Sequence, residues 1–395
     1  MLRNLDVRAP GLRMALFFAV SVAMLGVFIP FWPAWLEARG LSKVQIGQVV
    51  ASWAWARGIA GPLLAHLIDR SGARRTWILG LSAASALSFA PLGLASEFSA
   101  VLGLTILFGA LHAQVIPLGE NLILFESSRL GFSYAGVRWF GSLSFLIVSV
   151  VTGRLLEGGH AERAYPLALG FLALTFAAAW ALPATPRGAS APVRGAVRRS
   201  PLREVAARRP LLAALAGVGV IQAAHAVYYA YSTLHWSAAG HTTTTIGWLW
   251  AEGVLAEIAL FMAVGAGRVR LSERTLLALA VIGSLVRWPA LALTSDLEWL
   301  VATQWLHALT FAAAHLAAMS HLSRTVDVEL STTAQSVYSS VNIAAHAATV
   351  ALSAPLFAAR GADAFWPMAP LAALGGALAW WGMRANRDVA APRVG

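Results

Sequence analysis

The sequence predicts an all-α integral membrane protein with twelve transmembrane helices in two six-helix bundles and both termini cytoplasmic. Three observations carry that reading. Hydrophobic side chains make up 58% of the 395 residues and charged ones 12%, where soluble domains hold about a quarter charged. Apolar blocks of about 20 residues, the length that crosses about 30 Å of hydrocarbon, recur along the whole chain. The basic residues fall between these blocks. This composition excludes a soluble multidomain enzyme, and abundant apolar surface excludes disorder. With no cysteine there is no disulfide framework, thiolate metal site or Cys nucleophile.

The first six spans are read at 12–36, 44–67, 76–95, 98–124, 134–155 and 164–183, an N-terminal bundle over residues 1–183. No small-residue cleavage site closes the first span, so it is expected to stay as a helix. Residues 184–210 carry Pro186, Pro192, Pro201 and Pro210 with seven arginines, and such a stretch reads as a cytoplasmic linker. Spans at 211–236, 244–266, 273–294, 298–322, 332–356 and 362–383 form a C-terminal bundle over 211–395. Of the 29 Lys and Arg, 21 fall on one side, 5 on the other and 3 within spans. The positive-inside rule makes the richer side cytoplasmic. The net charge of +11 therefore reports insertion and not a nucleic-acid partner.

A charge at mid-bilayer costs at least ~2.5–3.5 kcal/mol on insertion scales, so each one needs a reason. The spans hold Arg57, Arg138 and Arg287 against Glu120, Glu252 and Glu257. Static interhelical pairs could balance them, but a water-lined route for substrate or protons is the better default. Histidines add to this: His225, His307, His315 and His346 lie inside predicted helices. Gln222, His225 and Tyr229 are spaced by three and then four, which places them on one helical face. His307 and His315 stand two turns apart on a shared side. No metal is implied, because no His-x-x-His or His/Glu ligand spacing occurs. Many of the 16 tryptophans sit near span ends, where the interfacial belt accounts for them. No Walker loop, dinucleotide fingerprint or nucleophile elbow appears, so an enzyme is not expected.

The loop after the second span reads Asp69-Arg70-Ser71-Gly72-Ala73-Arg74-Arg75. It resembles the cytoplasmic loop motif of the major facilitator superfamily, with Ala65 in place of the first glycine and the basic pair moved along by one. Other stretches resemble the phenylpropionate permease group, relatives of lactose permease. They are Phe28-Ile29-Pro30-Phe31-Trp32-Pro33-Ala34-Trp35-Leu36, Tyr134-Ala135-Gly136-Val137-Arg138-Trp139-Phe140-Gly141-Ser142, Ala224-His225-Ala226-Val227-Tyr228-Tyr229 and His315-Leu316-Ala317-Ala318-Met319. They cover both halves. The resemblance implies a conformational gate at Asp69, Arg70, Gly72 and Arg74.

The same resemblance implies roles within the spans. Glu120 and Arg138 match, in spacing and helix, the glutamate and arginine that contact sugar in lactose permease, and Phe145 matches its stacking tryptophan. Arg287 and His307 match its helix IX arginine and helix X histidine. Departures accompany these matches. Thr310 stands where that protein has a glutamate central to proton release, Glu257 is one turn from its helix VIII glutamate, and His225 and His346 replace a helix VII aspartate and helix XI lysine.

The expectation is thus a multi-pass transporter of a bacterial inner membrane, importing a small aromatic carboxylate such as 3-phenylpropionate with protons. Glu120, Arg138, Phe145, Gln222, His225, Tyr229 and His346 would bind substrate. Glu257, Arg287 and His307 would couple the proton, with Glu257 as its carrier, since burial favours a neutral carboxyl and an approaching guanidinium a charged one. His307 is the alternative carrier. Its partners would be a small-molecule substrate, protons and membrane lipids. No cofactor and no metal are expected, and the chain is expected to be monomeric. A proton-coupled sugar or nucleoside symporter, or efflux of a drug or metabolite on the same fold, is the alternative.

Overall fold

A computed structural model describes residues 10–71, 73–183 and 201–390, and among them it is helical with no strand. In lipid every backbone polar group must be satisfied within the protein, which leaves helices as the spanning element of this chain. The helices are α1 (Pro10–Ala38), α2 (Lys43–Ser71), α3 (Arg74–Phe89), α4 (Phe98–His112), α5 (Val115–Leu130), α6 (Tyr134–Leu155), α7 (Ala164–Trp180) and the short α8 (Pro201–Ala207). They continue with α9 (Arg209–Ala223), α10 (Ala226–Ala238), α11 (Thr243–Gly265), α12 (Glu273–Leu293), α13 (Leu297–Trp305), α14 (Ala314–Thr325), α15 (Val328–Arg360) and α16 (Met368–Ala390). Where α4 runs into α5, α9 into α10 and α13 into α14, two helices share one rod.

Among the described residues, nine such rods are long and apolar enough to cross a membrane. The other three long ones, α2, Leu297–Thr325 and α16, carry more polar residues. Arg57, Asp69 and Arg70 lie on α2, and three histidines with Arg324 lie in Leu297–Thr325. The first seven residues described from the linker stretch, Pro201–Ala207, form α8, whose Val205 is buried among Leu211, Ala214 and Met383. The rest of that stretch up to residue 200 lies outside the described residues.

Three rods are interrupted near mid-length, and a histidine stands at each interruption. His112 is the last residue of α4, His225 lies between α9 and α10, and His307 precedes a π-helical stretch, Ala308–Ala313. Regular 3.6-residue counting, which put His307 and His315 on one side, does not pass through a π stretch unchanged. Local caps follow from sequence. Ser133 Oγ accepts from Gly136 N at α6, and Ser272 Oγ from Thr275 N at α12, each replacing a bond the first helical turn lacks.

The loops before α2 and α11 repeat one another 200 residues apart. Gly40-Leu41-Ser42 precedes Ile46, and Gly240-His241-Thr242 precedes Ile246. Gly40 and Gly240 take φ of +81° and +93°, a conformation that favours glycine. Ser42 Oγ and Thr242 Oγ1 each accept the amide three residues on, at 3.3 and 3.2 Å. Both isoleucines are fully buried.

Backbone proximity divides the chain into unit 1, Met1–Pro192 with Trp236–Ala251, and unit 2, Val193–His235 with Glu252–Gly395. The Trp236–Ala251 segment joins unit 1 because α11 begins against α6. Thr243 Oγ1 donates to Gly153 O at 2.7 Å and Thr244 to the Glu157 carboxylate, and a Cβ on Gly247 would run into the Ser149 carbonyl. The interior of unit 1 centres on Met14, Phe17, Phe18, Leu118, Leu122 and Val137. That of unit 2 centres on Leu215, Val218, Ile221, Leu277, Ala280 and Ala317.

In unit 2 α9 and α16 touch backbone to backbone. A Cβ on Gly375 would come within 2.6 Å of Gly217 O, and one on Gly217 would overlap the Ala379 amide. Small residues allow such approach where lipid supplies no hydrophobic drive. Gly217→Ala should therefore destabilise the protein by about 1–3 kcal/mol through overpacking, read as a lower melting temperature in detergent. Gly103, with nothing within 4 Å of an added Cβ, should tolerate alanine or gain up to about 1 kcal/mol from helix propensity.

Candidate functional site

Unit 2 places a guanidinium at the centre of a closed hydrogen-bond network. Arg287 on α12 is fully buried. Its Nη1 donates to His307 Nδ1 at 2.6 Å and to Thr310 Oγ1 at 3.1 Å, and its Nη2 donates to Gln304 Oε1 at 3.2 Å. On the far side of the imidazole, His307 Nε2 lies 2.7 Å from Glu257 Oε1. The guanidinium carbon sits 4.5 Å from the Tyr228 ring centroid and 5.0 Å from that of Trp288, both within cation–π range. Tyr228 also donates its hydroxyl to Gln304 Oε1 at 2.9 Å.

The donors and acceptors fix the protons. Arginine has only N–H groups to offer, so Nδ1 of His307 must accept and Nε2 must carry the hydrogen given to Glu257. His307 is thus a neutral bridge between a cation and a carboxylate. A second strand runs from Arg287 Nη1 to Thr310 Oγ1, on to His225 Nε2 at 3.0 Å, and from His225 Nδ1 to the Gln222 carbonyl at 3.0 Å. That carbonyl can only accept, so His225 Nδ1 carries a hydrogen. Thr310 Oγ1 can meet Nε2 as donor or as acceptor, since its own hydrogen also faces the His307 carbonyl at 3.5 Å.

The backbone serves this network. The π stretch that follows His307 widens the helix, and Gln222 Nε2 donates to the Phe311 carbonyl at 3.1 Å within it. Gly253 brings α11 against the His307 ring, 3.4 Å from a built Cβ to Cδ2. Gly283 does the same for α12 against Leu309. π turns of this kind occur often at functional sites.

Of the residues expected in this half, Gln222, His225, Glu257, Arg287 and His307 come together. Tyr229 stacks on His225 at 5.8 Å between ring centroids, and His346 joins through Tyr229 at 5.7 Å. His315 lies elsewhere, with Phe261 and Tyr338 as ring neighbours. Glu252 is hydrogen-bonded to Trp305 and does not enter the network. Tyr228, Gln304 and Trp288 do enter it. A glutamine and a tyrosine amid apolar spans are the signal that could have found the first two; Trp288 carries no sequence signal beyond adjacency to Arg287.

In unit 1 Arg138 Nε meets Glu120 Oε1 at 2.8 Å, and Tyr134 donates to the same oxygen at 2.7 Å. The pair was expected to be buried, but the side chains are 50% and 35% exposed. A single contact to Phe18, 5.7 Å from the guanidinium, covers the cation. Phe145 is 9% exposed, and its carbonyl accepts from Ser149 Oγ at 2.8 Å. Its backbone packs against α1 at Gly26. At the expected gate, Gly72 and the Asp69 side chain lie outside the described residues. Arg70 is exposed, Arg74 lies over Phe125 at 5.8 Å, and Arg75 donates to the Trp180 carbonyl at the end of α7 at 2.8 Å. No cluster of three potential metal ligands occurs among the described residues.

Known proteins resemble the chain in both sequence and shape. The MFS_1 like family model matches residues 11–357. A probable 3-phenylpropionic acid transporter of Escherichia coli K12 is 31% identical over 347 residues, 87% of this chain and 90% of that protein. Maltose permease of Geobacillus stearothermophilus is 27% identical over 330 residues, 82% of each chain. Among solved structures, the nucleoside transporter NupG superposes with a TM-score of 0.81 at 11% identity, covering 96% of this chain and 99% of its own. An auto-inhibited POT family peptide transporter gives 0.73 at 13% identity, covering 96% and 97%.

The network predicts a specific stability pattern. Glu257→Ala removes the only charge that balances Arg287 through His307, and an uncompensated buried charge costs about 3–5 kcal/mol. The double variant Glu257→Ala/Arg287→Met should recover at least half of that loss. Thermal unfolding of both in detergent checks it. A single variant that costs less than about 1 kcal/mol would show that Glu257 does not balance the guanidinium.

Proposed function

Because the chain belongs to the MFS_1 like family of membrane transporters, we propose that it is a proton-coupled symporter of a small aromatic carboxylate. It works by alternating access in a bacterial inner membrane, both termini in the cytoplasm, with the proton gradient as its drive and no cofactor. The Glu257–His307–Arg287 chain carries the coupling argument. Glu257 holds its negative charge in register with Arg287 through a neutral imidazole. A proton arriving on Glu257 cancels that charge and leaves the guanidinium unbalanced in a buried setting. The network must then rearrange, and uptake of a substrate anion restores the overall balance of charge. Proton and substrate binding are thereby tied, which is what symport requires.

The substrate class is supported by the relative named as a probable 3-phenylpropionic acid transporter and by the rings that surround the network, Tyr228, Tyr229, Trp288 and Phe311. Gln222, His225, Tyr229 and His346 are assigned to substrate contact, as are Glu120 and Arg138. Asp69, Arg70, Gly72 and Arg74 would hold the gate. A sugar or nucleoside is the second reading. The half-exposed Glu120–Arg138 pair favours it, since a water-accessible carboxylate and guanidinium suit hydroxyl groups.

Reconstituted protein should accumulate labelled 3-phenylpropionate when the lumen is made alkaline, and should not accumulate maltose or uridine. The reverse ranking would establish the second reading. Glu257→Gln should still exchange substrate in counterflow while its accumulation falls to simple equilibration. If Glu257→Gln accumulates like the parent and His307→Gln does not, the histidine carries the proton.

A further inference from the structure

Three arginines lie inside the spans, and two have their charge accounted for. Arg138 pairs with Glu120, and Arg287 is balanced by Glu257 across His307. Arg57 on α2 makes no hydrogen bond or ion pair among the described residues. Its Nε is buried and unpartnered, and its guanidinium carbon lies 4.5 Å from the centroid of the Trp53 ring one turn earlier.

The place where it sits is built by a close crossing of α2 and α4. A Cβ on Gly109 would stand 3.1 Å from Trp53 O and 3.2 Å from Ala56 Cβ, so the helices touch there. One turn further along each helix come Arg57 and His112. Beyond them, Gln114 Nε2 donates to Gly61 O at 2.8 Å, which holds the crossing from the other end. His112 is 1% exposed, and both of its ring nitrogens lack a partner. Trp53 Nε1 is also buried without one. One crossing therefore gathers three unsatisfied polar groups, a guanidinium, an imidazole and an indole N–H.

Rings wall this place. Phe28 packs on Trp53 at 5.1 Å and on Phe108 at 5.9 Å, and Phe108 packs on His112 at 5.2 Å. Unpaired polar groups are costly where water is scarce, and a ligand that satisfies them recovers that cost. The complement of a guanidinium beside N–H donors is an oxyanion, held in bidentate fashion. The complement of the ring wall is an aryl group.

We infer that Arg57, with Trp53 and His112 at the α2–α4 crossing, receives the substrate carboxylate. This rests on the aromatic-carboxylate reading above and assigns the anion to a residue other than Arg138. The full chain in lipid nanodiscs is titrated by calorimetry with 3-phenylpropionate, benzoate and hexanoate, and with the neutral amide of each. The parent should prefer acids over amides. Arg57→Gln should lose about 10- to 100-fold in affinity for acids, the size of a charge-assisted contact, and with it the preference over amides. Arg57→Lys should keep the preference at lower affinity, having charge without the planar fork.

If the parent prefers acids and Arg57→Gln retains that preference within threefold, the inference is overturned while the carboxylate reading stands. If the parent binds no acid better than its amide, the carboxylate reading fails and takes this inference with it. The ligand-free melting temperature gives a second readout. The guanidinium has no acceptor and only the Trp53 face to lose, a contact of about 0.5–2 kcal/mol, so Arg57→Gln should melt within a few degrees of the parent or above it. A clear drop, or failure to fold, would show that Arg57 has a structural partner and would also overturn the inference.

Discussion

A guanidinium held away from water is the constraint from which unit 2 is composed. Arg287 can neither release its proton nor lose its five donors, so its surroundings must supply acceptors and one negative charge. Glu257 supplies the charge, but through His307, which spreads the interaction over two hydrogen bonds and one ring. Gln304, Thr310 and the Tyr228 face meet the Nη groups and the plane of the cation, while Nε is buried without an acceptor. The glycines opposite it follow from the same need, because Gly253 and Gly283 let α11 and α12 close on the helix that carries His307. An arrangement with a direct carboxylate contact would be simpler. The imidazole in between makes the balance of charge sensitive to a proton at one atom.

The fold was legible because hydrocarbon permits so few structures. Span length and apolar composition were enough to reach an all-helical chain of membrane-spanning segments. Part of the site was legible too. Glu120 with Arg138, and Arg287 with His307, were paired by their spacing in a resemblance, and both pairs meet. The exposure of the first pair was not legible, because burial depends on which helices flank α5 and α6 and not on membrane depth alone.

What sequence counting could not reach was any departure from the 3.6-residue period. The π stretch at Ala308–Ala313 has an ordinary composition, a leucine and a phenylalanine among alanines and a threonine, with no Gly or Pro to announce it. Its cause is tertiary: Gln222 from a neighbouring helix takes up a carbonyl within the stretch. Gln304 and Tyr228 were passed over because a single polar residue in a span is ambiguous until its partner is known. The 200-residue repeat at Gly40 and Gly240 was overlooked for a different reason. Only two glycines, one isoleucine and the capping pattern recur, and the side chains between them differ.

The interruptions of three rods at His112, His225 and His307 have a mechanical consequence. A continuous helix resists bending along its whole ladder of backbone bonds, whereas a rod cut at mid-length bends at the cut. Each histidine thus stands at a fulcrum. An arm of about 15 residues is about 22 Å long, so a tilt of about 5° at the fulcrum moves the far end by roughly 2 Å. One hydrogen bond gained or lost by a ring at the middle of the bilayer becomes a displacement at the membrane surface.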